Sequence, residues 1–173
     1  MRGGRNVYLI GPMGSGKTAV GKRLAAMLDR SFVDSDAEIE RRTGVDVRYI
    51  FEKEGEAKFR EREREVLADL VTHDGVVVAT GGGVVLDPAN RERLSSTGTV
   101  VYLETDLDTL VRRTRMTKTR PLLMNDNPRD VLERLLTVRR PLYESIADLR
   151  IETTGRQVRA VANEIQRQLA TEP

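Results

Sequence analysis

The stretch Gly11-Pro12-Met13-Gly14-Ser15-Gly16-Lys17-Thr18 fills all eight positions of G-x-x-x-x-G-K-[ST], the pattern of a loop that wraps phosphate. Its surroundings match. The apolar run Val7-Tyr8-Leu9-Ile10 reads as a strand leading in, and residues 19–28 read as a helix leading out. Glycines at 11, 14 and 16 admit backbone angles closed to bulkier residues, so consecutive N–H groups can turn toward one anion. The helix that starts at the loop adds unpaired amides and the positive end of its dipole. Lys17 supplies a mobile cation for β- and γ-phosphates. The Thr18 hydroxyl suits Mg²⁺, which binds through few protein oxygens plus water and phosphate.

Outward from the loop, strands and helices alternate. Ser31-Phe32-Val33-Asp34 is a short strand, expected beside the loop strand and ending on Asp34-Ser35-Asp36. Helices are expected over 37–42, stopped by Thr43-Gly44, and over 55–72, where Phe59, Glu63, Val66, Leu67 and Leu70 recur near a 3.6 period. The continuous apolar run Val76-Val77-Val78-Ala79 is that of a buried parallel strand, and it ends in Thr80-Gly81-Gly82-Gly83. Asp87-Pro88 opens a helix with proline in the first turn, and Gly98 closes it. A fourth strand covers 99–103, and Asp106 caps a helix to about Arg113. Residues 114–127 lack periodicity and read as a long loop, of the kind that serves as a lid. A helix runs from Pro128 toward Arg139, bent or restarted by Pro141, followed by a fifth strand over 149–153 and a last helix over 157–169. This order predicts a single α/β domain with a five-stranded parallel sheet flanked by helices.

Composition narrows the function. A chain of 173 residues with 39% hydrophobic content can build one core without staples. The absence of cysteine excludes disulfides and thiolate metal sites. No apolar run approaches the roughly 20 residues of a membrane span. Met1-Arg2-Gly3-Gly4-Arg5 leads straight into the first strand, so the expectation is no signal peptide and a cytoplasmic protein. The net charge is only +2, and the arginines of Arg60-Glu61-Arg62-Glu63-Arg64-Glu65 alternate with glutamate as on a solvated helix face. No basic run is interleaved with aromatics, so nucleic acid is not an expected partner.

Three constellations carry chemistry. Asp34 and Asp36 stand at the carboxyl end of a strand, where α/β sheets gather ligands. One can hold a water on Mg²⁺ while the other accepts a hydroxyl proton, the pairing that phosphoryl transfer to an alcohol needs. Gly81, Gly82 and Gly83 occupy the place where many nucleoside triphosphatases carry an aspartate, leaving bare main chain for a small polyol. Arg60, Arg120 and Arg139 lie in separate elements and suit bidentate contacts to carboxylate or phosphate. His73 reads as a capping or surface residue.

Taken together, these residues resemble the shikimate kinase family over about residues 5–170. The shared motifs are the GPMGSGKT loop, Asp34-Ser35-Asp36, E-x-x-F-R-x-x-E from Glu56 to Glu63, Ala79-Thr80-Gly81-Gly82-Gly83, R-P-L-L at 120–123 and R-R-P-L-Y at 139–143. The resemblance implies a P-loop kinase fold like that of nucleoside monophosphate kinases, and ATP-dependent phosphorylation of the 3-hydroxyl of shikimate on the route to chorismate and aromatic amino acids. It implies ATP on Gly14, Ser15, Gly16, Lys17, Thr18 and Ala19, with Arg113 and Arg156 flanking adenine and Arg120 reaching the transferred phosphate. Thr18 would ligate Mg²⁺ directly and Asp34 through a water. Asp36 would bind shikimate hydroxyls and accept the proton, making Asp36, Lys17 and Arg120 the catalytic set. Arg60 and Arg139 would grip the substrate carboxylate, with Gly81, Gly82 and Gly83 at its hydroxyls. A substrate-binding segment at about 34–62, a lid at about 114–126 and a monomer complete the implied picture. Two rivals are a kinase for another hydroxylated substrate such as gluconate, and a nucleotide-dependent regulatory protein without transferase activity. No N-K-x-D element for guanine is present.

Overall fold

The computed structural model describes residues 5–115 and 127–171. Strands β1 (Asn6–Ile10), β2 (Phe32–Asp34), β3 (Val77–Ala79), β4 (Gly98–Glu104) and β5 (Leu149–Glu152) form one parallel sheet in the order β2-β3-β1-β4-β5. Eight α-helices join them among the described residues: α1 (Lys17–Leu28), α2 (Ser35–Thr43), α3 (Val47–Glu54), α4 (Glu56–Leu70), α5 (Pro88–Thr97), α6 (Leu107–Arg115), α7 (Pro128–Ile146) and α8 (Val158–Thr171). A 3-10 turn, Val84–Leu86, follows β3.

Strand alternation divides the core into two layers. Tyr8 and Ile10 of β1, Val78 of β3 and Val100 and Tyr102 of β4 pack with Ile39, Phe59, Leu67, Leu94 and Tyr143 on one face. Val7 and Leu9, Val77, and Val101 and Leu103 point the other way, against Val20, Leu24, Val161 and Ile165 of α1 and α8. Both faces of the central strands are covered, so their sequence is apolar without interruption. Leu110 and Val111 of α6 meet Leu132 and Leu136 of α7 in a smaller cluster. No described helix is long and apolar enough to cross a membrane.

The five-stranded parallel sheet agrees with the sequence reading, but four details differ. β2 does not lie beside β1: β3 is inserted between them, Val7 pairing with Val77 and Val77 with Phe32. The chain steps over one strand position after α1, and β3 later fills it. β1 thus sits at the switch point of the sheet, where a crevice opens at the strand ends. Second, α3 was not expected. It is eight residues long with one buried residue, Ile50, so it leaves no periodic stripe. Its start is set by side chains instead, Asp46 Oδ1 accepting from Tyr49 N at 2.7 Å and Glu40 Oε2 from Val47 N at 3.0 Å, and the Gly55 amide closes its other end on the carbonyls of Ile50 and Phe51. Third, Gly98 opens β4 besides ending α5. Fourth, α7 passes through Pro141 without restarting. Proline forfeits one bond to the carbonyl of Thr137, and both residues are exposed, so that carbonyl is not left in a dry interior.

Candidate active site

At the tip of β1 the loop turns into α1. Gly16 caps the helix at φ 94°, a left-handed angle that glycine adopts without strain, and no side chain caps the first turn. The amides opening this 12-residue helix thus face the loop. Lys17 is buried against the loop, Nζ donating to Gly11 O at 2.5 Å and to Pro12 O at 2.9 Å. Arg113 of α6 closes the other side, Nη1 donating to Gly14 O at 3.0 Å. Thr18 Oγ1 donates to Asp34 Oδ2 at 2.6 Å, while Asp34 Oδ1 accepts from Ala37 N at 3.0 Å and caps α2. Thr18, in the first turn of α1, and Asp34, at the end of β2, therefore meet although β1 and β2 are not neighbours. Two hard oxygens side by side suit Mg²⁺ shared with phosphate and water. No cluster of three or more acidic or histidine side chains that could cage an ion occurs among the described residues. Gly14, Gly16, Lys17, Thr18 and Ala19, with Asp34 and Arg113, line a cavity of about 490 Å³.

A second cavity of about 440 Å³ adjoins it, with Met13, Asp36, Glu40, Gly81 and Gly82 on the walls of both. Phe51 and Phe59, ring centroids 4.8 Å apart, give it an apolar side. Arg60 and Arg139 give it a cationic one. Arg139 is only 4% exposed, and among the described residues no carboxylate is in ion-pair range of it. Burial lowers its pKa, the expected response of a cation taken out of water. The Tyr143 hydroxyl, from the next turn of α7, donates to Gly82 O at 2.5 Å and fixes the glycine turn against that helix.

Arg60 Nη1 donates to Glu63 Oε1 at 3.0 Å and Nη2 to Glu56 Oε1 at 3.3 Å. The guanidinium stacks over the Phe59 ring at 5.2 Å and also occupies the space a side chain at Gly83 would need. Burial pushes the Glu63 carboxyl up to about 7, Arg60 opposing that rise and Asp36 adding to it.

The structure thus gathers Asp36, Arg60, Gly81, Gly82, Gly83 and Arg139 around one cavity, and the loop residues, Asp34 and Arg113 around the other. Ser15 is buried inside the loop. Arg156 stands apart from both linings, Nη1 pairing with Glu164 Oε2 at 2.5 Å and donating to Glu152 O at 2.9 Å. Arg120 lies outside the described residues, as does the expected lid from 116 to 126; Thr114 and Arg115 are the end of α6. His73 is exposed, its carbonyl accepting from Asn6 Nδ2 at 2.7 Å. Sequence reasoning assigned no role to Met13, Glu40, Phe51 or Tyr143. For Glu63 a signal existed, a carboxylate inside the apolar stripe of α4.

The shikimate kinase family model matches residues 13–170. The chain is 51% identical over 165 residues to a shikimate kinase of Vibrio parahaemolyticus, covering 95% of this chain and 96% of that one. It is 52% identical over the same length to that of Shewanella sp. strain ANA-3, again with 95% and 96% covered. In three dimensions it is similar to shikimate kinase from Acinetobacter baumannii in complex with shikimate, with a TM-score of 0.95, 47% identity, and 97% and 94% of the two chains covered. A gluconokinase from Sinorhizobium meliloti superposes with a TM-score of 0.64 at 16% identity, a likeness of fold alone. On the match of family model and relatives across nearly its whole length, the chain belongs to the shikimate kinase family.

Proposed function

We infer that this protein transfers the γ-phosphoryl group of ATP to the 3-hydroxyl of shikimate, giving shikimate 3-phosphate and ADP on the way to chorismate. The observation that carries the reading is Arg139, a buried guanidinium without a carboxylate partner among the described residues, aimed into a cavity that shares a wall with the phosphate loop. A buried cation of that kind calls for an anion, and an acidic polyol beside a nucleotide supplies one.

In this reading Arg60 and Arg139 hold the carboxylate, the main chain of Gly81 to Gly83 lies against the hydroxyls, and Phe51 and Phe59 take the ring's apolar face. Asp36 stands between the two cavities and accepts the proton of the attacking hydroxyl. Loop amides from Gly14 to Ala19 and Lys17 hold the phosphates, and Arg113 and Arg156 serve the adenine end. Thr18 directly, and Asp34 through water, would hold Mg²⁺, which when bound neutralises charge on the β- and γ-phosphoryl oxygens. Arg120 reaches the transferred group from a lid over about 114–126, closing above a substrate-binding segment at about 34–62. Closure excludes water, the competing acceptor. The protein works as a cytoplasmic monomer.

The deciding measurement is ADP release with shikimate, with gluconate and with neither. Turnover only with shikimate is expected; equal release without an acceptor, or turnover with gluconate alone, would refute the assignment.

A further inference from the structure

Among the described residues Glu63 is the one buried acid, and the mechanism above does not use it. Its Oε1 accepts from Arg60, whereas Oε2 makes no hydrogen bond among the described residues. Glu63 is one of the residues that line the substrate cavity. A methyl group placed on Gly81 would lie 2.9 Å from Glu63 Oε2 and 2.8 Å from Asp36 Oδ1, so the two carboxyls converge on one point below the glycine turn. The charged groups acting on Glu63 are Arg60 from its own helix, Asp36 from α2 and Arg139 from α7. Glu40 of α2, and Asp46 and Arg48 at the start of α3, line the same cavity, and the turn after β3 contributes only glycine backbone.

Arg60 is therefore engaged by Glu63 and Glu56 at the position where a substrate carboxylate has to be received. We propose that Glu63 is a positioning residue that hands Arg60 over to the carboxylate of the substrate, so that an acidic substrate binds together with a proton taken up by Glu63. This rests on the reading of the cavity as the shikimate site. When the incoming carboxylate takes Arg60, Glu63 loses its compensating cation and gains an anionic neighbour. Both changes favour the neutral carboxyl. One proton moves from solvent to Glu63, and no other bond is made or broken.

The sign follows from the position of Glu63 near 7 in the free protein. Below about pH 6 the group already carries its proton and binding takes up none. Above 7 the free form is ionised, and raising the group on binding draws a proton in. Affinity for shikimate is then greatest near about pH 6, where Glu63 carries its proton and the substrate carboxylate is still ionised, and falls as pH rises; a rise of one unit in the pKa of Glu63 on binding corresponds to about a tenfold fall.

Calorimetric titration of shikimate into the nucleotide-free protein, in buffers of different ionisation enthalpy, reads the proton directly. Nucleotide is left out because its terminal phosphate titrates in the same range. Uptake of about half a proton is expected at pH 7.5 for a one-unit rise. Glu63→Gln is expected to bind shikimate with less than about a tenth of a proton and a Kd flat from pH 6 to 9. Wild-type binding without proton uptake, or equal uptake by the variant, overturns the proposal. Should Glu63→Gln fail to fold, the wild-type uptake profile decides alone, since a purely structural Glu63 gives no peak between pH 7 and 8. Absence of any shikimate binding to the wild type would instead refute the substrate reading.

Discussion

Arg139 concentrates the energetics of substrate selection in one side chain. A guanidinium buried at 4% exposure costs several kcal/mol in solvation, which an anionic ligand recovers. A charge-assisted bond contributes roughly 1.5–3 kcal/mol, so Arg139→Ala should raise the KM for shikimate about 10–150-fold, with kcat changed far less. Steady-state kinetics against shikimate checks this, and an unchanged KM would remove Arg139 from carboxylate binding. Asp36 has the complementary part. Asp36→Asn keeps the shape but not the basicity, and should cut turnover by about 10²–10⁴ while nucleotide still binds. ADP release and a nucleotide titration on the same sample test both halves. The sequence displayed these residues because each sits in a dense motif. Glu63 was harder to interpret, since three residues after Arg60 it also fits an ordinary helix-surface pair.

Elements set how those side chains aim. α4 presents Phe59, Arg60 and Glu63 from successive turns, and the glycine turn after β3 lies directly against the Arg60 guanidinium. Gly83 has φ −97°, so alanine there meets no backbone strain and acts only by displacing Arg60. Gly83→Ala should therefore raise KM for shikimate severalfold while leaving the KM for ATP and the melting temperature near wild type. Equal changes for both substrates would mean that the turn, rather than Arg60, had moved. α3 is the element that sequence periodicity missed. It brings Val47, Arg48 and Phe51 to the cavity, and its position depends on Glu40 and Asp46 capping its first amides rather than on an apolar stripe.

For the molecule as a whole, the sheet has to deliver β1 between β3 and β4 with its tip at the crevice. The opposite end is secured by Asn6, which donates to Tyr8 Oη at 2.9 Å and His73 O at 2.7 Å and accepts from Val76 N at 3.0 Å. Removing it leaves the buried Val76 amide and the His73 carbonyl, in the turn that leads into β3, without that partner. Asn6→Ala should cost about 1–3 kcal/mol, lowering Tm by about 2–10 °C, with the KM values little changed; thermal unfolding and kinetics measure the two separately. What the sequence by itself determined was local: the phosphate loop from its glycines, Lys17 and Thr18, the strands from their apolar runs, and most helices from period and caps. Those features arise from neighbours within a few residues, so they can be read along the chain. Only the tertiary structure decided that β3 separates β1 from β2, that α3 walls the substrate cavity, and that Glu63 faces Asp36 below Gly81. Each of these depends on contacts between segments distant in sequence, where packing and the burial of charge choose among arrangements that local pattern leaves equal.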